Sequence, residues 1–167
     1  MTGWRNRILL FGLFIGMVAV DQWVKQWVRG AIPINGSVGG KPWPGIFEIT
    51  LTYNQGIAFG MLKGSGLLMT PIAVIMAGAA IWYSLKSSHE GPLVHTAMGL
   101  VAAGAIGNMI DRIWLGHVTD MFWFRLIDFP VFNVADACIT IATILLIYAW
   151  GIAGNRSKPA ASPEGTA

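Results

Sequence analysis

The chain has 167 residues, of which 54% are hydrophobic and only 11% are charged, and its formal net charge is +3. Soluble domains carry about twice this charged fraction, so the composition excludes an ordinary soluble domain and indicates a membrane protein. The basic residues are few and scattered, without a basic stripe, which argues against a nucleic-acid partner. The single cysteine, Cys138, excludes an internal disulfide, and it lies in an apolar stretch where a small core residue is expected.

Four apolar windows have close to the ~20 residues that a helix needs to cross a bilayer core. They lie at about residues 8–28, 67–85, 93–110 and 134–152. These windows predict a membrane all-α fold with four transmembrane helices in one domain, residues 1–154. The remaining residues, 155–167, are rich in Pro, Ala, Ser and Gly and are expected to form a disordered tail.

The first helix is expected to be uncleaved, because Arg5 and Arg7 precede an apolar run that ends without the small-residue site of a signal peptide. Four spans place both termini on one side of the membrane. Counting Lys and Arg gives five on that side and six on the other, so the positive-inside rule does not decide the orientation. The balance of all charges favours the termini inside, although acidic residues steer topology weakly.

The same helix carries Asp21 and Lys25 four residues apart, with the acid first, which is the better order for a helical ion pair. Two interpretations remain open: an anchor where the helix leaves the bilayer, or a pair that borders a functional site. Gly12 and Gly16 form a G-x-x-x-G pair, which predicts close packing against another helix.

Between the first two windows, residues 33–62 are rich in Gly and Pro, and polar and apolar residues largely alternate from Glu48 to Thr52. Alternation of this kind is typical of a half-buried strand, so a small β-rich cap outside the membrane is expected. Further on, Thr70-Pro71 resembles a cap and a first-turn proline, an alternative start for the second helix. His89 and His95, in or beside the next loop, are expected to be solvated.

The third helix has small residues on two stripes that lead to polar side chains at its end. The stripes are Gly99, Ala103, Gly107 and Asp111, and Gly104, Asn108 and Arg112. Small residues let a neighbouring helix lie close, which would place the polar groups at the end of that contact. The alternative is structural: Asp111 and Arg112 end the helix among lipid headgroups.

After this helix, residues 117–133 mix aromatic and charged side chains, which favours a segment lying in the membrane interface. Asn133 then precedes the fourth helix, and Asp136 follows three residues later. This spacing is typical of a capping box, and it is equally consistent with a functional carboxylate. Polar residues at the border of apolar spans mark a functional site by default.

Carboxylates are the most plausible reactive groups in this sequence, because motifs for a serine or cysteine nucleophile and for a metallopeptidase are missing. His117 and Asp120 could supply two metal ligands, but no neighbouring pair strengthens that signal. Two adjacent carboxylates share one proton, so one can activate water while the other hydrogen-bonds the carbonyl under attack.

Five motifs, in order and with their spacing, resemble the bacterial lipoprotein signal peptidases (signal peptidase II). They are DQxxK from Asp21, NxGxAF from Asn54, GxxGNxxDR from Gly104, VxD from Val118 and FPxFNxAD from Phe129. The likeness extends from about residue 8 to residue 152. Two departures, Ala103 in place of a glycine and Met121 in place of a common Phe, are conservative in size or polarity.

The resemblance implies an aspartyl endopeptidase of the bacterial cytoplasmic membrane. It would cut a prolipoprotein immediately before the diacylglyceryl-modified Cys. Separately, no cofactor or metal is expected, and the protein is expected to act as a monomer. Asp120 and Asp136 match the catalytic pair. The residues that match the lining of the site and its support are Asn54, Asn108, Asp111, Arg112, Asn133, Asp21 and Lys25.

The resemblance also implies cytoplasmic termini, a cytoplasmic tail, and a site on the periplasmic side covered by a β-cradle. Two rival classes remain. One is a small transporter with an ion pathway through the charged residues, which typically shows internal repeats and broken helices. The other is an assembly factor that uses its small-residue stripes only for partner helices. The charges cluster at one membrane face, unlike those of such transporters, and an assembly factor leaves the acidic pair unexplained.

Overall fold

The computed structural model describes residues 2–56 and 69–153. Four helices dominate it, and all four are long and apolar enough to cross a membrane, which confirms the predicted class. They are α1 (Thr2–Ala31), α2 (Met69–Lys86), α3 (Pro92–Leu115) and α4 (Val134–Leu146), and α4 continues as a π-helical segment, Ile147–Ala153. Helix α3 runs beyond the predicted end at residue 110 and therefore includes Asp111 and Arg112.

Helix α3 lies at the centre of the bundle, and 67% of its apolar window is buried. Its two stripes of small residues face two different helices. A Cβ at Gly99 would lie 2.7 Å from the Leu10 carbonyl oxygen of α1, and one at Gly104 would lie 2.5 Å from the Ala135 carbonyl oxygen of α4. The expectation that these stripes admit close neighbours is therefore correct.

Gly12 and Gly16 of α1 do not have the predicted packing role within the described chain. A Cβ added at either position would meet nothing within 4 Å. Helix α1 instead contacts α3 through Leu10 and through the polar residues of its second half. The two glycines lie outside that contact face.

The small β element is a three-stranded antiparallel sheet, in the order β1 (Ser37–Trp43), β2 (Phe47–Asn54) and β3 (Val118–Trp123). The first two strands lie in the predicted cap. The third was not predicted, because residues 117–133 were interpreted as an interfacial segment. Its first four residues are all buried, so the polar and apolar alternation of a half-buried strand is missing.

The two histidines that were expected to be solvated differ from each other. His89 is exposed, as expected, with 78% of its side chain accessible. His95 is not solvated: it is 1% exposed and its Nδ1 lies 2.7 Å from the Ser84 hydroxyl. Residues 57–62 of the cap, the predicted helix start at residues 67 and 68, and the tail at 155–167 lie outside the described residues.

Candidate active site

Strand β3 brings Asp120 into the interior of the protein. Asp120 pairs with Thr52 of β2 across the sheet and is 3% exposed. Its Oδ2 accepts a hydrogen bond from Asn54 Nδ2 at 3.2 Å. Its Oδ1 accepts a bond from Asn133 Nδ2 at 2.6 Å. Both carboxylate oxygens are therefore held by side-chain amides.

Asp136 stands on the first turn of α4, half-buried and close to Asp120. The predicted capping box is present: Asn133 Oδ1 accepts from the Asp136 backbone N–H at 3.0 Å, and Asp136 Oδ2 accepts from the Asn133 N–H at 3.2 Å. The other oxygen of Asp136 stays available for further contacts. A cap and a functional carboxylate are therefore compatible in the same residue.

Two asparagines connect the carboxylates. Asn133 Nδ2 donates both to Asp120 Oδ1 and, at 3.0 Å, to Asn108 Oδ1. Asn108 Nδ2 in turn donates to Asp136 Oδ1 at 2.8 Å. Residues from β3, α3 and α4 thus form one chain of amides and carboxylates, named here the amide bridge, which consists of Asp120, Asn133, Asn108 and Asp136.

A cavity of about 730 Å³ opens beside the amide bridge. Asp120, Asp136, Asn54, Asn108 and Arg112 supply its polar side. The rest is mainly apolar and comes from the outer face of α4 and from residues 124–132, which we name the wall segment. The apolar lining includes Val118, Phe124, Ile127, Phe129, Pro130, Val131, Phe132, Ala137, Ile139 and Ile141.

Behind the cavity lies a largely buried ion network. Lys25 Nζ is 2.8 Å from Asp21 Oδ2 and 3.6 Å from Asp111 Oδ2, and all three side chains are at most 1% exposed. Arg29 adds a second cation, 3.6 Å from Asp111 Oδ1. Buried charges persist when they are paired, and removal of one partner typically costs about 3–5 kcal/mol.

The ion network reaches the amide bridge through Asn108. Lys25 Nζ donates to Asn108 Oδ1 at 3.0 Å, so this oxygen faces Lys25 and Asn133. The amide nitrogen is thereby left to face Asp136. Because an ammonium group can only donate, it fixes which end of the Asn108 amide points at the carboxylate.

The network also holds the two elements that carry the carboxylates. Asp111 Oδ2 accepts from the Thr119 backbone N–H at 2.8 Å, one residue before Asp120. Asp21 Oδ1 accepts from the Ala135 N–H at 2.9 Å, one residue before Asp136. An anion at a helix N-terminus is favourable, so Asp21 stabilises the start of α4.

Asp120 differs from an ordinary surface carboxylate in its pKa. Burial and the neighbouring negative charge of Asp136 raise the pKa of Asp120 to about 7. The amide donors of Asn133 and Asn54 oppose that rise, since they favour the ionised form. Asp120 therefore changes protonation state near neutral pH.

Arg112 lines the cavity near both carboxylates. Its Nε is buried and has no hydrogen-bond partner among the described residues. Arg112 therefore places a cation at the cavity wall, and a guanidinium can bind an oxygen of a bound molecule.

The structure therefore separates the nine sequence-predicted residues into two groups. Asn54, Asn108, Arg112, Asp120 and Asp136 line the cavity. The other four lie behind the lining. Asp21, Lys25 and Asp111 form the ion network, and Asn133 is 0% exposed between the two carboxylates. Asp111 and Asn133 were expected in the lining itself. His117 lies against the Tyr53 ring, with 4.0 Å between ring centroids, and is not part of the lining.

Sequence reasoning missed three polar residues of the network. Arg29 continues the spacing of Asp21 and Lys25 by four more residues, so helical periodicity could have found it. Gln22 Nε2 donates to the Gly107 carbonyl at 3.0 Å, and Thr119 Oγ1 accepts from Arg29 at 2.9 Å. Gln22 is a fixed position of the DQxxK motif, so that motif could have found it, whereas no local pattern marks Thr119.

Four apolar helices, a small sheet and paired carboxylates facing one cavity define an integral membrane protein with an acidic site. The sequence profile of the family described as "Signal peptidase (SPase) II" matches residues 13–151. The chain therefore belongs to the signal peptidase II family. It is a multi-pass bacterial membrane peptidase that acts in the processing of prolipoprotein signal peptides.

Relatives and solved structures agree with this membership. The "Lipoprotein signal peptidase" of Streptococcus thermophilus (strain CNRZ 1066) is 38% identical over 133 residues, which cover 80% of this chain and 86% of the relative. The protein of the same name from Symbiobacterium thermophilum is 38% identical over 136 residues, 80% of this chain and 88% of its own. A structure titled as a bacterial membrane enzyme, solved by the in meso method at 2.3 Å, aligns with a TM-score of 0.80 and 30% identity, covering 90% of this chain and 92% of that one.

Proposed function

We propose that the protein is an aspartic endopeptidase in which Asp120 and Asp136 are the catalytic residues. The observation that carries this proposal is the amide bridge, which joins a carboxylate of β3 and a carboxylate of α4 at the wall of one cavity. Such a pair can hold one proton between its members and supply acid and base together.

In the proposed reaction Asp136 is the base and Asp120 is the acid. Asp136 takes a proton from water, and the resulting hydroxide attacks the scissile carbonyl carbon while Asp120 gives its proton to the carbonyl oxygen. The tetrahedral intermediate then collapses: Asp136 returns its proton to the leaving nitrogen, the C–N bond breaks, and Asp120 regains a proton from a hydroxyl. The pKa of about 7 supports Asp120 as the acid, because it is largely protonated below neutral pH.

Arg112 is proposed to orient the substrate. Its charge lies near both carboxylates, and its side chain lines the cavity in which the peptide would bind. A positive group beside the scissile carbonyl would also stabilise the negative charge that develops on its oxygen.

The proposed substrate is the diacylglyceryl-modified precursor of a lipoprotein, cut immediately before the lipidated Cys. The cavity supports a substrate with an apolar part, because Phe129 of the wall segment and Ile139 and Ile141 of α4 line it. Ile141 is also 49% exposed on the outside of the bundle. The cavity thus borders the surface that faces lipid, where acyl chains can approach from the bilayer.

The proposed orientation places both termini in the cytoplasm and the sheet, cavity and carboxylates on the periplasmic side. Four spans support the placement of the sheet opposite the termini, because β1, β2 and β3 all follow odd-numbered helices. The cytoplasmic position of the termini is supported by the balance of charges and by the family resemblance. We also propose that residues 1–154 form one peptidase domain acting as a monomer, and that residues 155–167 are a disordered cytoplasmic tail.

The test compares cleavage of diacylglyceryl-modified and unmodified precursor by the purified protein, with and without a metal chelator. Cleavage of the modified form alone, before the lipidated Cys and unaffected by the chelator, is expected. Asp120→Asn and Asp136→Asn should each lower the rate by at least about 100-fold, since each loses an acid–base group. Both variants should still insert and unfold cooperatively.

Asp128→Asn is the matched control. Asp128 is an exposed carboxylate eight residues from each candidate, and it has a φ of 47°, which Asn tolerates. Its variant should keep wild-type activity. Activity retained by either Asp120→Asn or Asp136→Asn would remove the catalytic assignment, and loss of cleavage on chelation would point to a metallopeptidase.

A further inference from the structure

The wall segment forms one side of the cavity but has few backbone bonds to the rest of the fold. Within the described residues, Leu126 N–H donates to the Ile46 carbonyl at 3.3 Å, at the turn between β1 and β2. The Asp128 and Phe129 N–H groups bond back within the segment itself. Only at its end does Phe132 return to the sheet, through paired bonds with Phe122.

A side-chain ion pair crosses this weakly attached stretch. Arg125 Nη1 lies 2.8 Å from Glu48 Oε1 of β2. The same oxygen accepts the Gly45 N–H at 2.9 Å, so one carboxylate joins the β1–β2 turn to the wall segment. The Arg125 guanidinium also lies 5.2 Å from the centre of the Trp123 ring, within the range of a cation–π contact.

Glu48 is buried to a degree that is unusual for a strand carboxylate. It is 2% exposed, whereas 52% of the Arg125 side chain is accessible. The Gly45 N–H and the Arg125 guanidinium together lower the pKa of Glu48, so this buried group stays ionised. A buried charge with one cationic partner depends on that partner for its compensation.

The other side-chain contacts of the wall segment are between aromatic rings, and they fix the position of the segment less tightly than the ion pair does. Phe124 lies 4.9 Å from Phe47 and 5.8 Å from Phe132, measured between ring centroids. Such contacts hold rings together over a range of offsets, whereas a hydrogen-bonded ion pair fixes both distance and angle. The ion pair therefore sets where Phe124, a lining residue, stands in the cavity.

We propose that Glu48 and Arg125 form a latch that holds the wall segment against β2 and so shapes the cavity for the substrate. Neither residue lines the cavity, so both are positioning residues. The proposal rests on the proposed function, because the cavity is taken to bind the prolipoprotein. Asp120 and Asp136 are held by the amide bridge and the ion network instead, so the latch should affect substrate binding more than chemistry.

The decisive variant is Arg125→Met, which removes the charge and the donors but keeps an apolar stem against Trp123. The apparent KM for the lipidated precursor should rise roughly two- to fivefold, the range expected for a half-exposed ion pair. The kcat should stay within about twofold of wild type, since the acid–base groups are untouched. Arg125→Lys, which keeps a cation within reach of Glu48, should restore most of the loss.

The matched control is Lys41→Met, which removes an exposed cation from β1 of the same sheet. It should leave both constants at wild-type values. Glu48→Gln keeps an acceptor for Gly45 but loses the charge, and combining it with Arg125→Met should add little to either single change, as expected for two partners of one interaction.

Amide hydrogen exchange supplies a readout that needs no substrate. Exchange across the wall segment should be at least about twofold faster in Arg125→Met than in wild type and Lys41→Met, because the opened segment loses protection. Unchanged exchange overturns the latch, and faster exchange with an unchanged KM overturns its role in substrate binding. If the wild type fails to cleave the lipidated precursor, the proposed function fails, while the exchange comparison still decides whether the latch exists.

Discussion

At the scale of single residues, Asn133 explains why sequence reasoning could not choose between a helix cap and a functional site. Its Oδ1 caps α4 while its Nδ2 donates to Asp120 and Asn108. A capping aspartate would satisfy the helix equally well but could not donate. An Asn at this position therefore supplies a donor to the site as well as a helix cap, and the capping pattern alone does not reveal the donor.

Asp120 leads to a prediction about pH. With a pKa of about 7, it loses its proton as the pH rises through neutrality. If it is the proposed acid, kcat/KM for the lipidated precursor should fall on the alkaline side with an apparent pKa near 7. Asn54→Ala removes a donor that favours the ionised form, so the pKa of Asp120 should rise and the alkaline limb should move to higher pH.

The measurement is kcat/KM in mixed micelles from about pH 5 to pH 9, which reports the groups of the free enzyme. Gln55→Ala is the control, because it removes an exposed amide from the next residue, outside the cavity lining. The control should keep the wild-type profile. An alkaline limb that moves down, or does not move, in Asn54→Ala contradicts the assignment of Asp120 as the acid.

At the scale of elements, helix α3 and its small residues were predictable, and strand β3 was not. The spacing of Gly99, Gly104 and Gly107 is local to one helix, so a helical projection reveals both packing faces. Strand β3 depends on pairing with β2, more than 60 residues earlier in the chain. Its side chains are buried on both faces, so it lacks the alternation that a sequence can display.

The same reasoning explains which parts of the site were accessible to prediction. Residue type and place at the border of apolar spans marked a group of polar residues as candidates, and the family resemblance selected Asp120 and Asp136 among them. Their connection through Asn108 and Asn133 requires three elements to meet, which no local spacing encodes. The position of Asp111 behind the cavity depends on the rotation of α3 against α1 and β3, and that also follows from packing.

The close contact between Gly104 of α3 and the start of α4 leads to a prediction about helix packing. A Cβ there would lie 2.5 Å from the Ala135 carbonyl oxygen, at the start of the helix that carries Asp136. Gly104→Ala should therefore push the first turn of α4 outward, lower the stability by about 1–3 kcal/mol as overpacked sites do, and reduce cleavage. Thermal unfolding in detergent and the cleavage assay measure the two effects.

Gly12→Ala makes the same chemical change on α1, where the new methyl group would meet nothing within 4 Å. Because Ala favours a helix over Gly by about 1 kcal/mol, this control should be neutral or slightly stabilising. Equal losses in the two variants would mean that the close contact at Gly104 is not what positions α4.

At the scale of the whole molecule, the proposed orientation can be tested with single cysteines. In a Cys138→Ser background, Lys41→Cys places an accessible thiol on the sheet, and His89→Cys places one in the loop between α2 and α3. A membrane-impermeant maleimide should label the first in intact cells and the second only after lysis. The reverse pattern would place the carboxylates on the cytoplasmic side.

The ion network has a consequence for how the protein is made. Lys25 contacts Asp21 on its own helix at 2.8 Å, whereas its other acidic partner, Asp111, is synthesised 86 residues later. Proteins emerge from the ribosome with the N-terminal part first. The first helix therefore carries its own counter-ion, so its lysine can be accommodated at the bilayer by the nascent chain before α3 exists to receive it.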